Sequence, residues 1–352
     1  MHMADALISP VIGGVMWAAT TGVAAYSIKK VQSDLDDKKI PLMGIMGAFI
    51  FATQMINFTI PVTGSSGHLG GGLMLAILLG PYAGFLTMAS ILTIQALFFA
   101  DGGLLALGCN IFNMGFFTCF IAYPLIYKPI LSKGYSAKKI FIGAMLACIV
   151  GLQLGAFGVV LETVFSGKTE LPFGTFVLLM QPIHLAISIV EGFVSVAVIS
   201  FVWKARPEML EKVALEQKFG EINLKKVISV IAIAAIITGG ALSWFASANP
   251  DGLEWAMFKT AGTTELESTD IIHEKLADIQ SKTAFLPDYG FKASGGEEAE
   301  SGKAVWPAVN VGTSTSGFVG GALTLALAAF IGFFIQLYKK QKNKIIDSQK
   351  SI

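Results

Sequence analysis

The sequence is poor in charge, since only 14% of its 352 residues are charged and the formal net charge is +1. A soluble globular protein usually has about 25% charged residues, so the composition argues against a soluble cytosolic enzyme. The balanced charge also excludes a nucleic-acid binder that works by bulk attraction to phosphates. Apolar residues take the place of charge, because 54% of the chain is hydrophobic.

Patterns of several common sites are missing as well. The three cysteines lie in apolar stretches without a CxxC pair, which argues against a disulfide framework and a thiolate metal site. The nearest string to a phosphate-binding loop is SGKT at 166–169, where Glu162 occupies the position of the first glycine. The spans contain no HExxH pattern of an intramembrane metalloprotease. The sequence therefore predicts neither an ATPase nor a protease.

Apolar runs long enough to cross a bilayer dominate the chain. A spanning helix needs about 20 apolar residues, and a shorter apolar piece at 70–80 is interpreted as a further, buried or tilted pass. The predicted full spans are 9–28, 41–60, 82–100, 104–127, 138–165, 174–203, 225–247 and 317–338. These nine segments predict an all-α polytopic membrane protein.

Lys and Arg segregate between alternate loops only if all nine segments cross the membrane. One side then holds 19 of the 25 basic residues, and the positive-inside rule makes that side cytoplasmic. This arrangement predicts a multi-pass membrane protein with its amino terminus outside and its carboxyl terminus in the cytoplasm. Lys29 and Lys30 follow the first span, the reverse of a signal peptide, which predicts an uncleaved anchor.

A charged stretch divides the chain into two parts. Residues 205–224 are predicted as a cytoplasmic linker between a seven-helix bundle at 1–204 and a two-helix hairpin at 225–352. The hairpin encloses a polar external loop at 249–312 with 11 acidic residues and five lysines. This loop either concentrates cations near the surface or is solvated and partly disordered, and the sequence leaves both interpretations open.

Histidine is scarce, and one of the four lies beside the amino terminus. The terminal amine, the amide nitrogen of His2 and its imidazole can close five- and six-membered chelate rings around one ion. A deprotonated amide ligand favours Ni(II), Cu(II) or Co(II) over Zn(II). His68, in the glycine-rich loop GSSGHLGGG on the same predicted side, is a candidate fourth nitrogen donor. The plain alternatives are a chance histidine at position 2 and an ordinary polar loop residue.

Three segments in order resemble a known family: MHMADALISP at the start, SSGHLGG at 65–71 and NPDGLE at 249–254. They are similar to the substrate-binding component of energy-coupling-factor nickel/cobalt transporters, in the form that fuses the seven-pass M component to the two-pass N component. The resemblance implies a square-planar site of four nitrogens, from the Met1 amine, the His2 backbone and side chain, and the His68 imidazole. Met3 and Ala6 depart from the isoleucine and glycine usual in the family.

The resemblance also implies a location in the plasma membrane of a prokaryote, as well as partners and a substrate. It implies a transmembrane coupling subunit of the T or Q type, cytoplasmic ATPase subunits, and nickel or cobalt as a transported ion with no permanent cofactor. The expected function is capture of the ion outside the cell for ATP-driven import, with the PDGLE hairpin assisting loading or gating. An ion-coupled secondary divalent-metal transporter is the alternative, and nickel and cobalt are not separated by the sequence.

Polar groups within or beside the spans have two interpretations each. Three ionisable side chains are expected to join helices or to contact partner subunits more than to handle metal: Glu162, His184 and Glu191. Four amides either orient the metal ligands or bond helices together: Asn57, Gln95, Asn110 and Asn113. His273, in the string HEKLA, is predicted to lie on the surface.

Overall fold

The computed structural model describes residues 2–61, 63–167, 172–263, 270–292 and 306–350. The helices are α1 (Pro10–Asp34), α2 (Lys39–Gln54), α3 (Gly72–Leu79), α4 (Pro81–Phe99), α5 (Leu107–Leu131), α6 (Ala137–Ser166), α7 (Phe173–Ala205), α8 (Pro207–Ala214), α9 (Lys225–Gly240), α10 (Gly252–Ala261), α11 (Ile271–Thr283) and α12 (Val311–Lys350). Two short strands, β1 (Phe58–Ile60) and β2 (Ser65–Gly67), pair in an antiparallel hairpin.

Apolar helices account for the architecture, so the predicted all-α polytopic fold is confirmed. In the described part of the chain, six helices are long and apolar enough to cross a membrane: α1, α4, α5, α6, α7 and α12. The shorter α2, α3 and α9 overlap the three remaining predicted segments, and α9 ends at Gly240 rather than at the predicted 247. Large apolar side chains such as Val15, Phe193 and Phe330 remain exposed on the long helices, as expected for surfaces that face lipid rather than water.

The front of the chain forms a bundle around α3. This eight-residue helix is buried along its whole length and begins next to the loop that contains His68. Helices α6 and α7 pack side by side along most of their length, and α6 also packs on α5. Residues Phe112–Tyr127 of α5 are π-helical, a rare form that occurs often at functional sites.

The predicted span at 41–60 is wrong at its carboxyl-terminal end. Helix α2 stops at Gln54, and the chain continues into the β1–β2 hairpin. Residues 58–62 combine β-branched and aromatic residues with Pro61, a composition that favours strand and turn over helix. The hairpin leads directly to His68, so this departure from helix sets the position of the glycine-rich loop.

The back of the chain packs on the front rather than standing apart. Helices α9 and α12 contact each other and both lie against α2. They approach closely at Gly239 and Gly317, where a methyl group on Gly317 would lie 2.4 Å from the carbonyl oxygen of Gly239. Such small residues allow helix backbones to meet in a membrane.

The segment between α9 and α12 is structured where it is described. Helices α10 and α11 and a 3₁₀ turn at Pro287–Tyr289 lie against the amino-terminal end of the bundle. Residues 252–261 and 271–289 are therefore structured, although most side chains of α11 are exposed to solvent. Parts of the predicted loop at 264–269 and 293–305 fall outside the described residues.

Candidate metal-binding site

His2 and His68, 66 positions apart in the chain, lie together in the structure. Their rings stack with centroids 4.9 Å apart and planes inclined by 27°. Both side chains are almost completely buried. Met1, the third residue of the predicted site, lies outside the described residues. The structure thus brings together the two imidazoles that the sequence places on one side of the membrane.

The segment that carries His2 is fixed by backbone contacts. The side chain of Asn110 binds Met3 twice, accepting from its N–H at 2.8 Å and donating to its carbonyl at 3.2 Å. Gly103 N–H donates to the same carbonyl at 2.9 Å. The Asp5 carboxylate accepts from Ala106 N–H at 2.9 Å. Asn110 therefore holds the backbone next to His2, and its orienting role toward a metal ion stays a prediction.

Gly103 is required by this arrangement. A Cβ atom at position 103 would lie 1.9 Å from Asp5 Oδ1, so any side chain there would displace the carboxylate. The neighbouring residues Asp5–Leu7 form a 3₁₀ turn with Ala6 in its centre. The turn therefore forms without the glycine that is usual in the resembled family.

Each nitrogen of the His2 ring lies close to a polar side chain. Nε2 lies 3.1 Å from Gln95 Oε1, and Nδ1 lies 3.2 Å from Asp101 Oδ1. Gln95 is one of the amides that the sequence singles out, whereas Asp101 is not. Asp101 follows α4 without any motif around it, so only its position at the end of a span could have drawn attention to it.

The loop around His68 is held from inside the bundle. The Glu191 carboxylate on α7 accepts from the N–H groups of Gly70 at 2.6 Å and Gly71 at 3.0 Å. Gln54 at the end of α2 donates to the Gly70 carbonyl at 2.8 Å. Glu191 therefore orders the backbone that follows His68, which is a more specific role than general bonding between helices.

Burial keeps both imidazoles neutral. Removal from water lowers the pKa of His2 to about 3 and that of His68 to about 3. His68 Nδ1 lies 3.0 Å from the Leu69 carbonyl oxygen, which accepts only, so Nδ1 donates and Nε2 has the lone pair. Neutral imidazole is the form that binds metal ions.

A cavity of about 480 Å³ opens beside the two rings. Five acidic residues are among those that line it: Asp5, Asp101, Asp251, Glu254 and Asp288. In the described residues, no group of three or more His, Cys, Asp or Glu side chains has the geometry to hold a metal ion. A metal site made of these residues therefore needs ligands besides side chains, which is the kind of site that the amino-terminal pattern predicts.

The NPDGLE segment forms the other wall of the cavity. The Asp251 carboxylate accepts from the N–H groups of Leu253 and Glu254 at 2.8 Å each, and Glu254 accepts from Asp251 N–H at 2.9 Å. This reciprocal capping starts α10. Ser66 N–H donates to the Pro250 carbonyl at 2.8 Å, which joins the segment to β2 two residues before His68.

His273 is buried, so its prediction as a surface residue is wrong. Its Nε2 lies 3.0 Å from the Asp5 carbonyl oxygen and 2.9 Å from that of Ile8. The absence of an HExxH pattern says nothing about burial, and contacts across 265 positions are not visible in sequence spacing. His273 fastens α11 to the turn that follows His2.

The remaining predicted polar residues lie elsewhere or have other partners. Asn113 donates to Glu162 at 2.6 Å, a bond between α5 and α6. His184 Nδ1 lies 2.8 Å from the Met180 carbonyl of its own helix, although its ring borders a small space next to His68. Asn57 lines the cavity. Glu162 and Asn113 thus join helices, as one of their two interpretations expects.

Family models cover most of the chain. Residues 2–209 match the CbiM model, described as the cobalt uptake substrate-specific transmembrane region, and residues 225–337 match the PDGLE domain. The fold and these matches define a multi-pass membrane protein for metal transport. The chain belongs to the CbiM family and continues into a PDGLE domain, so the resemblance to that fused form is confirmed.

Individual relatives agree with this assignment. The chain is 36% identical over 248 residues to a protein of Archaeoglobus fulgidus named as a fused nickel transport protein, NikMN, covering 68% of this chain and 77% of that one. It is 34% identical over 212 residues to one of Haloquadratum walsbyi named as a metal transport protein, covering 60% and 93%. A crystal structure of a transition metal transporter is 31% identical, with a TM-score of 0.52, covering 61% of this chain and 99% of that chain.

Proposed function

We propose that this chain is the substrate-capturing membrane component of an ATP-driven importer for Ni(II) or Co(II). The observation that carries the proposal is the pair of buried, neutral imidazoles of His2 and His68 with ring centroids 4.9 Å apart. The amine of Met1 and the amide nitrogen of His2 complete a planar set of four nitrogens. This set suits Ni(II) and Co(II).

The arrangement of contacts supports a site built for binding rather than for catalysis. Asn110 and Gly103 fix the backbone after His2, and Glu191 fixes the loop after His68. Such outer contacts orient metal ligands and raise affinity. The acidic cavity beside the rings attracts cations, which gives the ion a route from outside the cell to the nitrogens.

The direction of transport follows from the proposed orientation. The distribution of Lys and Arg supports an amino terminus outside and a carboxyl terminus in the cytoplasm. The chain supplies no phosphate-binding loop in its sequence, so ATPase subunits and a transmembrane coupling subunit provide the work of release. Their contact surfaces lie on the cytoplasmic loops near 128–139 and 204–226.

The direct test uses protein whose mature chain begins at Met1. Equilibrium binding and visible absorption are measured for Ni(II) and Co(II), and then for a variant with one additional residue before Met1. We expect the native protein to show the spectrum of low-spin, planar Ni(II) and the extended variant to lose it. A variant extended by one residue after Ile352 is the matched control. Equal affinity of the two amino-terminal forms would refute the ligand set.

The energy source is tested separately in cells. We expect uptake of labelled nickel or cobalt to stop when the ATPase partners are deleted. Uptake that continues without them would favour an ion-coupled secondary transporter instead.

A further inference from the structure

Tyr289, in the segment between α11 and α12, contacts the side chains that surround His2. The Tyr289 hydroxyl lies 2.5 Å from Asp101 Oδ2 and 3.1 Å from Gln95 Nε2. Asp101 and Gln95 are the side chains described above that lie within hydrogen-bonding distance of the His2 ring nitrogens. Tyr289 therefore joins both of them in one network although it does not touch the ring itself.

The directions of the two hydrogen bonds at the Tyr289 hydroxyl follow from the Asp101 carboxylate, which accepts. Asp101 Oδ2 accepts, so the Tyr289 O–H donates to it, and the Tyr289 oxygen accepts an N–H from Gln95. This contact turns the Gln95 amide so that Oε1 faces His2. An amide oxygen only accepts, so His2 Nε2 carries the proton and Nδ1 has the lone pair.

We propose that Tyr289 is a positioning residue for metal capture, because it holds His2 in the tautomer whose Nδ1 is available for the ion. Nδ1 is the nitrogen that closes a six-membered chelate ring with the amide of His2. The inference rests on the proposed function and adds that the PDGLE part of the chain completes the metal site.

The Asp101 carboxylate lies beside the nitrogen that would bind the ion. In the Nε2–H tautomer, His2 Nδ1 and Asp101 Oδ1 are both acceptors, and they lie 3.2 Å apart in a largely buried place. Two acceptors at this distance repel each other unless a positive charge lies near both of them. The positive terminal amine acts on both His2 and Asp101 in the metal-free protein, and a bound metal ion would supply positive charge in its place.

The backbone at Tyr289 adopts an unusual conformation to make these contacts. Asp288 and Tyr289 have φ angles of 50° and 58°, a region that bulky residues rarely enter. Such conformations persist where the surroundings determine them and are common at binding sites. Here the Tyr289 ring stacks on Phe99 with centroids 5.1 Å apart, and Leu286 N–H donates to the Phe98 carbonyl at 3.2 Å.

Tyr289→Phe tests the inference in the full chain with its native amino terminus. The variant keeps the ring against Phe99 and removes only the hydroxyl. We expect Ni(II) affinity to fall by about 10- to 100-fold. We also expect ¹⁵N spectra of His2 in the metal-free protein to change from the Nε2–H form to a mixture of tautomers. Tyr26→Phe, at an exposed tyrosine of α1, is the matched control and leaves both measurements unchanged.

A rescue variant separates positioning from mere folding. Gln95→Glu offers His2 an acceptor oxygen whichever way the group turns, so adding Gln95→Glu to Tyr289→Phe restores the Nε2–H tautomer. A thermal midpoint close to that of the native protein shows that each variant folds. Failure of the rescue, or loss of affinity with an unchanged tautomer, would overturn the positioning role.

The test distinguishes this inference from the proposed function. Absence of a planar Ni(II) spectrum in the native protein contradicts the proposed ligand set itself. A planar spectrum in the native protein, with affinity and tautomer unchanged in Tyr289→Phe, contradicts only the role of Tyr289.

Discussion

The two histidines of the candidate site are held in different ways. His2 is contacted by the side chains of Gln95 and Asp101, and the backbone that follows it is bound by His273 of α11. His68 lies in a loop that Glu191 of α7 and Gln54 of α2 bind through backbone groups. His68 and its loop, called here the His68 side of the site, are therefore held by the membrane bundle. His2 and the turn after it, called the His2 side, lie between the bundle and the outer segment formed by α10, α11 and the turn at Pro287–Tyr289.

The largest expected effect on metal affinity is that of pH. It distinguishes the two sides because only groups on the His2 side are expected to release protons when the ion binds. Burial lowers the pKa of both imidazoles to about 3, so neither releases a proton on binding metal between pH 5 and 8. The amine, with an ordinary pKa of about 8, and the amide of His2 each release one. We expect affinity to fall as pH falls, by about 100-fold per unit below pH 7.

Titration calorimetry in buffers of different ionisation enthalpy counts the protons released. Two protons support release from the His2 side alone. A count of three or more would mean that an imidazole is protonated in the metal-free protein, against the expected effect of its burial.

His68→Ala is the next largest change. It removes one of four nitrogens and leaves the His2 side intact, so we expect affinity for Ni(II) to fall by more than about 100-fold, beyond the range typical of outer contacts. Equilibrium binding with the native amino terminus measures this loss. Retained affinity would show that the His2 side binds the ion without the bundle.

Glu191→Gln breaks the link between the His68 loop and α7. An amide cannot accept from both Gly70 and Gly71 with the strength of a carboxylate, so the loop loosens and we expect affinity to fall by about 10-fold. Glu162→Gln is the matched control, because that carboxylate joins α5 to α6 through Asn113. The control is expected to lower the thermal midpoint without changing affinity, and equal effects of the two variants would refute a specific role for Glu191.

His273→Ala has the smallest expected effect. It removes the Nε2–H that the Asp5 and Ile8 carbonyls share, a hydrogen bond worth about 1 kcal/mol in all. We therefore expect a three- to tenfold loss of affinity through a looser amino-terminal turn. Lys275→Ala, at an exposed position of the same helix, is the control. A His273→Ala protein that binds as the native one does would show that the outer segment is not needed to hold that turn.

The sequence is sufficient for the spans because an apolar run of a given length has few alternatives in a membrane. It is insufficient at 55–60, where apolar residues continue the run but β-branched residues and Pro61 form a strand and turn. Hydropathy alone does not separate these two outcomes. For that reason hydropathy does not predict the hairpin between α2 and His68.

Some residues of the candidate site can likewise be predicted from the sequence and others cannot. His2 and His68 are predictable because one adjoins the chain terminus and the other lies between glycines. Asp101, His273 and Tyr289 are not, because their roles arise from contacts between positions 99 to 268 apart, in segments without a motif. The sequence singles out Glu191 as an ionisable residue within a span, but it does not predict the bond to the glycine-rich loop, which depends on how α7 packs.

Glu191 lies within a helix of 33 residues that reaches from Phe173 to Ala205. Because one carboxylate accepts from the N–H groups of both Gly70 and Gly71, we expect the His68 loop to move together with that helix. Under the proposed function, a tilt of α7 withdraws the His68 nitrogen from the ion while the other three nitrogens stay in place. Cargo would then leave by partial loss of its ligands, and the loop itself would never have to unfold.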